Sequence, residues 1–525
     1  MGNKVYFRSD RNGEFNLYSY DVASKAVAQH SRFDDFPVIW LNANGGDIIF
    51  AQAGYLHVFN TAANKTNTLK IGIAADLLDQ RERYYKGDEY IRSGHVSPSG
   101  ARVVVDFRGD IITLPAQKGD PINLTNTPGV HETYPAWSPD GKSIAYFSDA
   151  SGEYALHIKN QNGLEEAKAF PLKGSGFYSN LHWSPDSKKL CFIDNGRRLY
   201  LMEVATGKVT TIAEDVHYVP GPFRELFGSW SNDGQFVSYT QITATNFERA
   251  FVYSVAENKS YPVSDGLSNV SEPVFDPSGK YLYMLASTNA GPVVNWFDQS
   301  NQDMRATNTI YLVTLQADTK SPLARENDME EVKEAAAEKP DTSKAKAASK
   351  TMRIDWAGLD QRILPLPIPQ GDYRNLAVGK EGEIYYIAAA ASGPSQLFQY
   401  SLKKRKAENI MPAEAFMIAA KGDKMFYYSG GKWGMTATGQ KPGPDAIINT
   451  GSLQVKNAPA EEWANIFNEA WRVNRDYFYD PGMHGANWEA MRKKYAVFLP
   501  HVAAKSDLYN VMQWMFSELA VGHHR

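Results

Sequence analysis

Along most of the chain, apolar and polar residues alternate in short runs, the period-two pattern of half-buried strands. Ser143-Ile144-Ala145-Tyr146-Phe147-Ser148 is one such run. Each run follows a short phrase: an aromatic or apolar residue, then Ser or Asp, Pro, Asp or Ser, and Gly. The phrase stands at His95-Val96-Ser97-Pro98-Ser99-Gly100, and most fully at Pro135-Ala136-Trp137-Ser138-Pro139-Asp140-Gly141. It returns at Trp183-Ser184-Pro185-Asp186, Trp230-Ser231-Asn232-Asp233-Gly234 and Phe275-Asp276-Pro277-Ser278-Gly279. From Ser97 to Ser138, Ser184, Ser231 and Asp276 the steps are 41, 46, 47 and 45 residues. Pro pre-sets φ and Asp-Gly or Ser-Gly supplies the turn, so the phrase predicts a tight hairpin. A second hairpin follows each strand, as at Ser148-Asp149-Ala150-Ser151-Gly152. Radial repetition of four-stranded units at this period predicts a β-propeller.

Weaker copies of the phrase at 375–382 and 419–424 bring the count to seven blades between about residue 80 and residue 455. Residues 1–30 read as the back half of one blade and residues 36–70 as another, separated from the seven by an irregular stretch, Ile73 to Tyr90. They are expected to end a preceding propeller, with a single eight-bladed ring as the competing count. After Val455 the period changes to 3.6. Trp463, Ile466, Phe467, Ala470, Trp471 and Tyr477 fall on one helical face, and Asp480-Pro481-Gly482 ends that helix. A second helix is predicted from about Trp488 to Phe498. A third, capped by Ser506, carries Leu508, Val511, Met512, Met515, Phe516 and Leu519. The expected fold is therefore mainly β, with domains at 1–75 (last blades of a truncated first propeller), 76–455 (a seven-bladed propeller) and 456–525 (helical). The run 318–350 mixes charge with Ala, Ser and Pro and lacks aromatics, which predicts a disordered insertion in one blade.

With 525 residues, 43% of them hydrophobic, the chain can bury two or three cores. Its net charge of −4 and interspersed signs leave no basic stripe for nucleic acid. One cysteine, Cys191, excludes an internal disulfide and reads as a buried, inert thiol. No apolar run approaches the length of a membrane span. The chain opens on a strand already under way, Val5-Tyr6-Phe7-Arg8, with no leader pattern before it.

No complete catalytic site is legible. The chain has no Gly-x-Ser-x-Gly elbow, no His-Glu-x-x-His zinc helix, no cysteine cluster and no phosphate loop. His523 and His524 follow the last helix, where an imidazole is free to swing as a general base would be. By spacing alone, a solvated end is the commoner role for such a pair. His484 reads as a helix cap or loop residue, and His95 and His182, before blade hairpins, as structural. A metal site built from His484, His523 and His524 is the weakest reading, and no stoichiometric metal is expected.

The helical segment carries a resemblance. Glu461-Glu462-Trp463-Ala464-Asn465-Ile466-Phe467-Asn468-Glu469-Ala470-Trp471-Arg472 and Arg475-Asp476-Tyr477-Phe478-Tyr479-Asp480-Pro481-Gly482-Met483-His484-Gly485 resemble the start of the catalytic core of tricorn proteases. Ser517-Glu518-Leu519-Ala520-Val521-Gly522-His523 is similar to the phrase ending in that family's catalytic histidine, and the blades resemble its second propeller. The resemblance implies a six-bladed and a seven-bladed propeller, a helical core domain, a PDZ domain and a second core domain that carries the nucleophilic serine. It further implies a homohexamer, most simply cytoplasmic and alternatively periplasmic, that degrades oligopeptides delivered through propeller channels. His523 would be the general base, no cofactor is called for, and a chain without the serine would be inert. The family often has Ser where Gly522 stands, and small or aromatic residues where His524 and Arg525 stand. The alternative is a non-enzymatic, TolB-like propeller scaffold that binds a protein or peptide.

Overall fold

The computed structural model describes residues 2–217, 223–290, 306–325 and 352–524. Of the insertion expected at 318–350, residues 326–350 lie outside the described residues, as does Arg525. The chain divides into two compact units, one of residues 1–81 and 482–525, the other of residues 82–481. That division falls inside the segment predicted as a single helical domain, so its first helix belongs with the propeller and the rest with the N-terminal blades.

Among the described residues of the larger unit, seven antiparallel sheets of three or four strands follow in chain order. Six have four strands, the first built from Ile91–Val96, Arg102–Phe107, Asp110–Pro115 and Ile122–Asn123. The seventh has three: Ala415–Ile418, Lys424–Ser429 and Lys432–Ala437. Each of these seven sheets is made of consecutive strands, so among the described residues no strand passes from the last blade to the first. The ring instead closes through side chains, because each of the seven blade junctions holds its own buried apolar cluster. At the seam, Val96, Phe107 and Leu114 of blade 1 meet Phe426 of blade 7, together with Ile448 and Val455 from the segment that follows it. A two-stranded ribbon, Arg83–Lys86 with Gln454–Asn457, joins the segments flanking the ring.

The recurring phrase forms the expected turn between the first two strands of a blade. Ser138 Oγ donates to Asp140 Oδ1 (2.6 Å), which also accepts from the Lys142 N–H (3.0 Å), and Ser184–Asp186 and Ser231–Asp233 repeat the bond at 2.6 and 2.7 Å. The tryptophans of the phrase reach across blades. Trp183 Nε1 donates to the Ala136 carbonyl at 3.0 Å and Trp230 Nε1 to the His182 carbonyl at 3.3 Å. The first strands also bulge, with Tyr134, Asn180, Glu272 and Asn375 at φ of 52°, 57°, 49° and 56°. Each is a non-glycine residue in the left-handed region. The bulge turns side chains toward the next blade, where Glu272 accepts the Asn375 N–H (3.1 Å) and Asn375 Oδ1 the Phe416 N–H (3.1 Å). The long insertion leaves blade 5 between its third strand, Thr309–Thr314, and its fourth, Ile363–Pro365.

Helix α1, Pro459–Tyr477, starts with Pro in its first turn and buries Trp463, Phe467 and Trp471. Tyr477, predicted on that face, is 42% exposed, and its ring meets Phe177 at 5.4 Å. Arg472 and Asn474 are buried instead. The helix seats on the turns joining second and third strands of blades 1 to 3, at the opposite end of the strands from the Ser-Pro-Asp-Gly turns. Glu462 pairs with Arg108, whose guanidinium covers the Tyr85 ring at 3.7 Å. Arg475 grips Glu153 through two bonds, and the Asn195 amide donates to the Asp476 carbonyl at 3.3 Å.

In the smaller unit Lys4–Ser9, Asn16–Asp21 and Val27–Gln29 form one sheet, and Leu41–Asn44, Asp47–Gln52, Tyr55–Asn60 and Lys65–Thr68 another. They share a core of Leu17, Val38, Ile48, Phe50 and Phe59. Helices α2, Trp488–Ala496, and α3, Lys505–Ser517, complete it. Phe36 contacts Tyr495 (5.7 Å) and Phe498 (5.1 Å), and Gln80 Nε2 donates to the Val502 carbonyl (2.7 Å). Ser506 does not cap α3. The cap position is Ala504, and Asp507 inside the first turn accepts the N–H groups of Ala503 and Ala504, both at 3.0 Å. A carboxylate there satisfies the exposed donors better than a hydroxyl, with the helix dipole assisting.

Candidate functional site

Helix α3 ends where its apolar stripe runs out. Leu508, Val511, Met515 and Phe516 are buried, Glu518 closes the last turn, and Leu519 is fully buried just beyond. Two side chains from α2 converge on Glu518: Lys494 Nζ at 2.8 Å and the Tyr495 hydroxyl at 2.7 Å. Burial works against the charge of Glu518, yet these two bonds hold its carboxyl below the usual range. His484 Nδ1 donates to the Leu519 carbonyl at 2.9 Å. His484 itself lies in a left-handed turn, with φ of 51° at Met483, 52° at His484 and 83° at Gly485.

Past Leu519 the chain enters a second left-handed stretch, with φ of 53° at Ala520 and 63° at His523. The His523 side chain is exposed and makes no hydrogen bond or ion pair with any described residue. Its neighbour His524 behaves differently. The His524 ring stacks on Phe516, with centroids 5.0 Å apart and planes 13° apart, and burial pushes its pKa down. Of the two adjacent imidazoles, one is packed and one is presented to solvent. Gly522 has open space around its Cα and a φ outside the left-handed region, so a serine would fit there.

The other histidines singled out in the sequence lie in the propeller unit. His182 stacks on Phe227 (4.0 Å) and sits 3.3 Å from Glu225 Oε2. Burial, with His182 nearby, pushes the pKa of His95 down to about 4. Both occupy first strands, the edges where neighbouring blades meet. Cys191 is fully buried between blades 3 and 4, and burial raises its thiol well above the ordinary range. Among the described residues no group of three His, Cys, Asp or Glu side chains is arranged to hold a metal ion. No helix among them is long and apolar enough to cross a membrane.

Sequence reasoning missed a buried ionic cluster under α1. Arg472 donates to Asp149, to Glu469 and to the Gly152 carbonyl (2.7 Å). Asp149 Oδ1 accepts the His131 N–H (2.7 Å), and its Oδ2 accepts the Asn465 amide (2.7 Å) as well as Arg472. The Arg472 and Asp149 side chains are 3% and 0% exposed, so the pair is desolvated and fully bonded. His131 Nδ1 donates to the Tyr154 hydroxyl (2.6 Å), which donates on to Glu469 (3.0 Å). The only signal in the sequence was an Asp in a blade hairpin and an Arg on a helix flank, each common on surfaces.

Two family models match the chain: the tricorn protease second beta propeller domain over residues 91–439, and the tricorn protease C1 domain over residues 459–517. Tricorn protease homolog 1 of Streptomyces coelicolor is 23% identical across 100% of this chain and 51% of its own length. A putative tricorn-like protease C-terminal subunit of Sulfurisphaera tokodaii is 21% identical across 99% of this chain and 58% of its own. A crystal structure of the tricorn protease superposes with a TM-score of 0.75 at 18% identity, over 100% of this chain and 50% of that one. The chain thus spans about half the length of the relatives it matches. The first model alone covers well over half of these 525 residues, and on that ground the chain belongs to the tricorn protease family.

Proposed function

We propose that this chain is the propeller-bearing part of a serine-type peptidase of the tricorn kind, acting on oligopeptides delivered through propeller channels. His523 is its general base, taking the proton of a serine supplied from outside these residues. The observation that carries the reading is the exposed, unengaged imidazole of His523 at the end of a clamped turn. Assembly as a homohexamer and a cytoplasmic setting belong to the same reading. On this reading the nucleophile and oxyanion donors lie outside these residues, so the chain by itself should hydrolyse no peptide and should stay unlabelled by a fluorophosphonate probe.

The reading is tested in the coding frame beyond Arg525, which should continue into a serine-bearing segment. In the protein so extended, His523→Ala should lower kcat/KM by about 10⁴-fold or more, the loss expected when a triad member is removed. A variant with undiminished peptide hydrolysis would overturn the role given to His523.

A further inference from the structure

We propose that His484 is a positioning residue for His523, a role that rests on reading His523 as the general base. The two residues are 39 positions apart, and the link between them is a single backbone carbonyl. Once α3 has ended, the Leu519 carbonyl lies beyond the helical ladder, and His484 Nδ1 donates to it at 2.9 Å from a separate turn. A carbonyl held from outside fixes the plane of the following peptide, and hence the direction in which Ala520 leads the chain toward His523.

Three further features fit this role. The chain leaves Leu519 through Ala520 in the left-handed region, and His523 adopts the same region, so the path is one that non-glycine residues keep only under constraint. Met483 and His484 are both left-handed as well, so the donor sits on a turn of equally unusual geometry. The remaining anchors bracket the loop without touching His523: Lys494 and Tyr495 grip Glu518 on one side, and His524 stacks on Phe516 on the other. His484 is thus a side chain that acts on the backbone between those two anchors. Its ring is turned to that carbonyl.

Two substitutions separate the donor from the backbone shape. Glycine accepts a left-handed conformation without strain but donates nothing, whereas asparagine tolerates that conformation and keeps a side-chain N–H. In this chain His484→Gly should speed amide hydrogen exchange at residue 520, whose N–H is bonded to the Ser517 carbonyl, by about five- to tenfold, the loss of one net hydrogen bond. The His523 backbone amide resonance should move toward that of an unstructured chain. His484→Asn should restore both. Unchanged exchange and an unchanged His523 resonance in His484→Gly would overturn the proposal, as would a failure of His484→Asn to restore them. His523→Gln, measured alongside, should leave exchange at residue 520 as it is. Its effect on peptide hydrolysis in the extended protein tests the general-base reading alone, so either idea can fail without the other.

Discussion

The junctions between blades bury side chains such as Leu190, Phe192 and Leu282, whereas the seat of α1 buries Arg472 against Asp149. An apolar junction gains from area removed from water and depends weakly on orientation, so one solution can be repeated seven times with different residues. A buried ion pair must recover the desolvation of two charges, which it does only with every lone pair and proton engaged. Here the Asp149 oxygens and the Arg472 guanidinium are all engaged by named partners. The blades are therefore held by quantity, and α1 by register. A one-residue slip along the helix would strand both charges, while a small shift between blades would only repack methyl groups.

Breaking the ion pair tests this most severely. Asp149→Ala should leave the buried Arg472 with only the partly exposed Glu469 as counter-charge and cost about 3 kcal/mol of unfolding free energy in denaturant titrations. Replacing both residues with apolar ones of similar volume (Asp149→Leu with Arg472→Met) should recover most of that loss. If the double substitution is as damaging as the single one, packing rather than charge holds the helix.

Glu132 sharpens the contrast, because it is a buried carboxyl in the same blade without a cation. Burial, with Asp110 and Asp149 nearby, pushes its pKa up to about 8, although Thr127 donates to it at 2.7 Å. The folded state therefore keeps a proton that the unfolded chain releases near pH 4.5. Its contribution is full below that pH and is lost as pH rises toward 8. Glu132→Gln should remove this slope and raise stability at pH 8 by on the order of 2 kcal/mol or more relative to the parent, read from melts across that range. Parallel pH profiles for parent and variant would show that the side chain stays ionised.

At an apolar junction the response should be milder. Leu190→Met conserves volume and should cost less than about 1.5 kcal/mol. Gly522→Ser should be milder still, within about 0.5 kcal/mol, since the added Cβ meets nothing within 4 Å. That substitution also places a hydroxyl beside His523, so its effect on that residue can be read without a stability correction.

The propeller was legible because its determinants are local and repeated. Ser-Pro-Asp-Gly sets a turn wherever it occurs, and alternation sets a strand, so copies at 41 to 47 residues count the blades whatever lies between them. The helices after Val455 were legible by period, down to Trp463, Phe467 and Trp471. Polar contacts across long separations were not. Asp149 and Arg472, 323 residues apart, are ordinary surface types until the fold brings them together and excludes water. Caps and turns were read less well than periods: Ser506 yielded to Asp507, because which group reaches the free N–H donors depends on the path into the helix. His523 and His524 could not be told apart by residue type. Only the packed structure stacked one on Phe516 and presented the other to solvent, because burial is a property of neighbours and not of the residue itself.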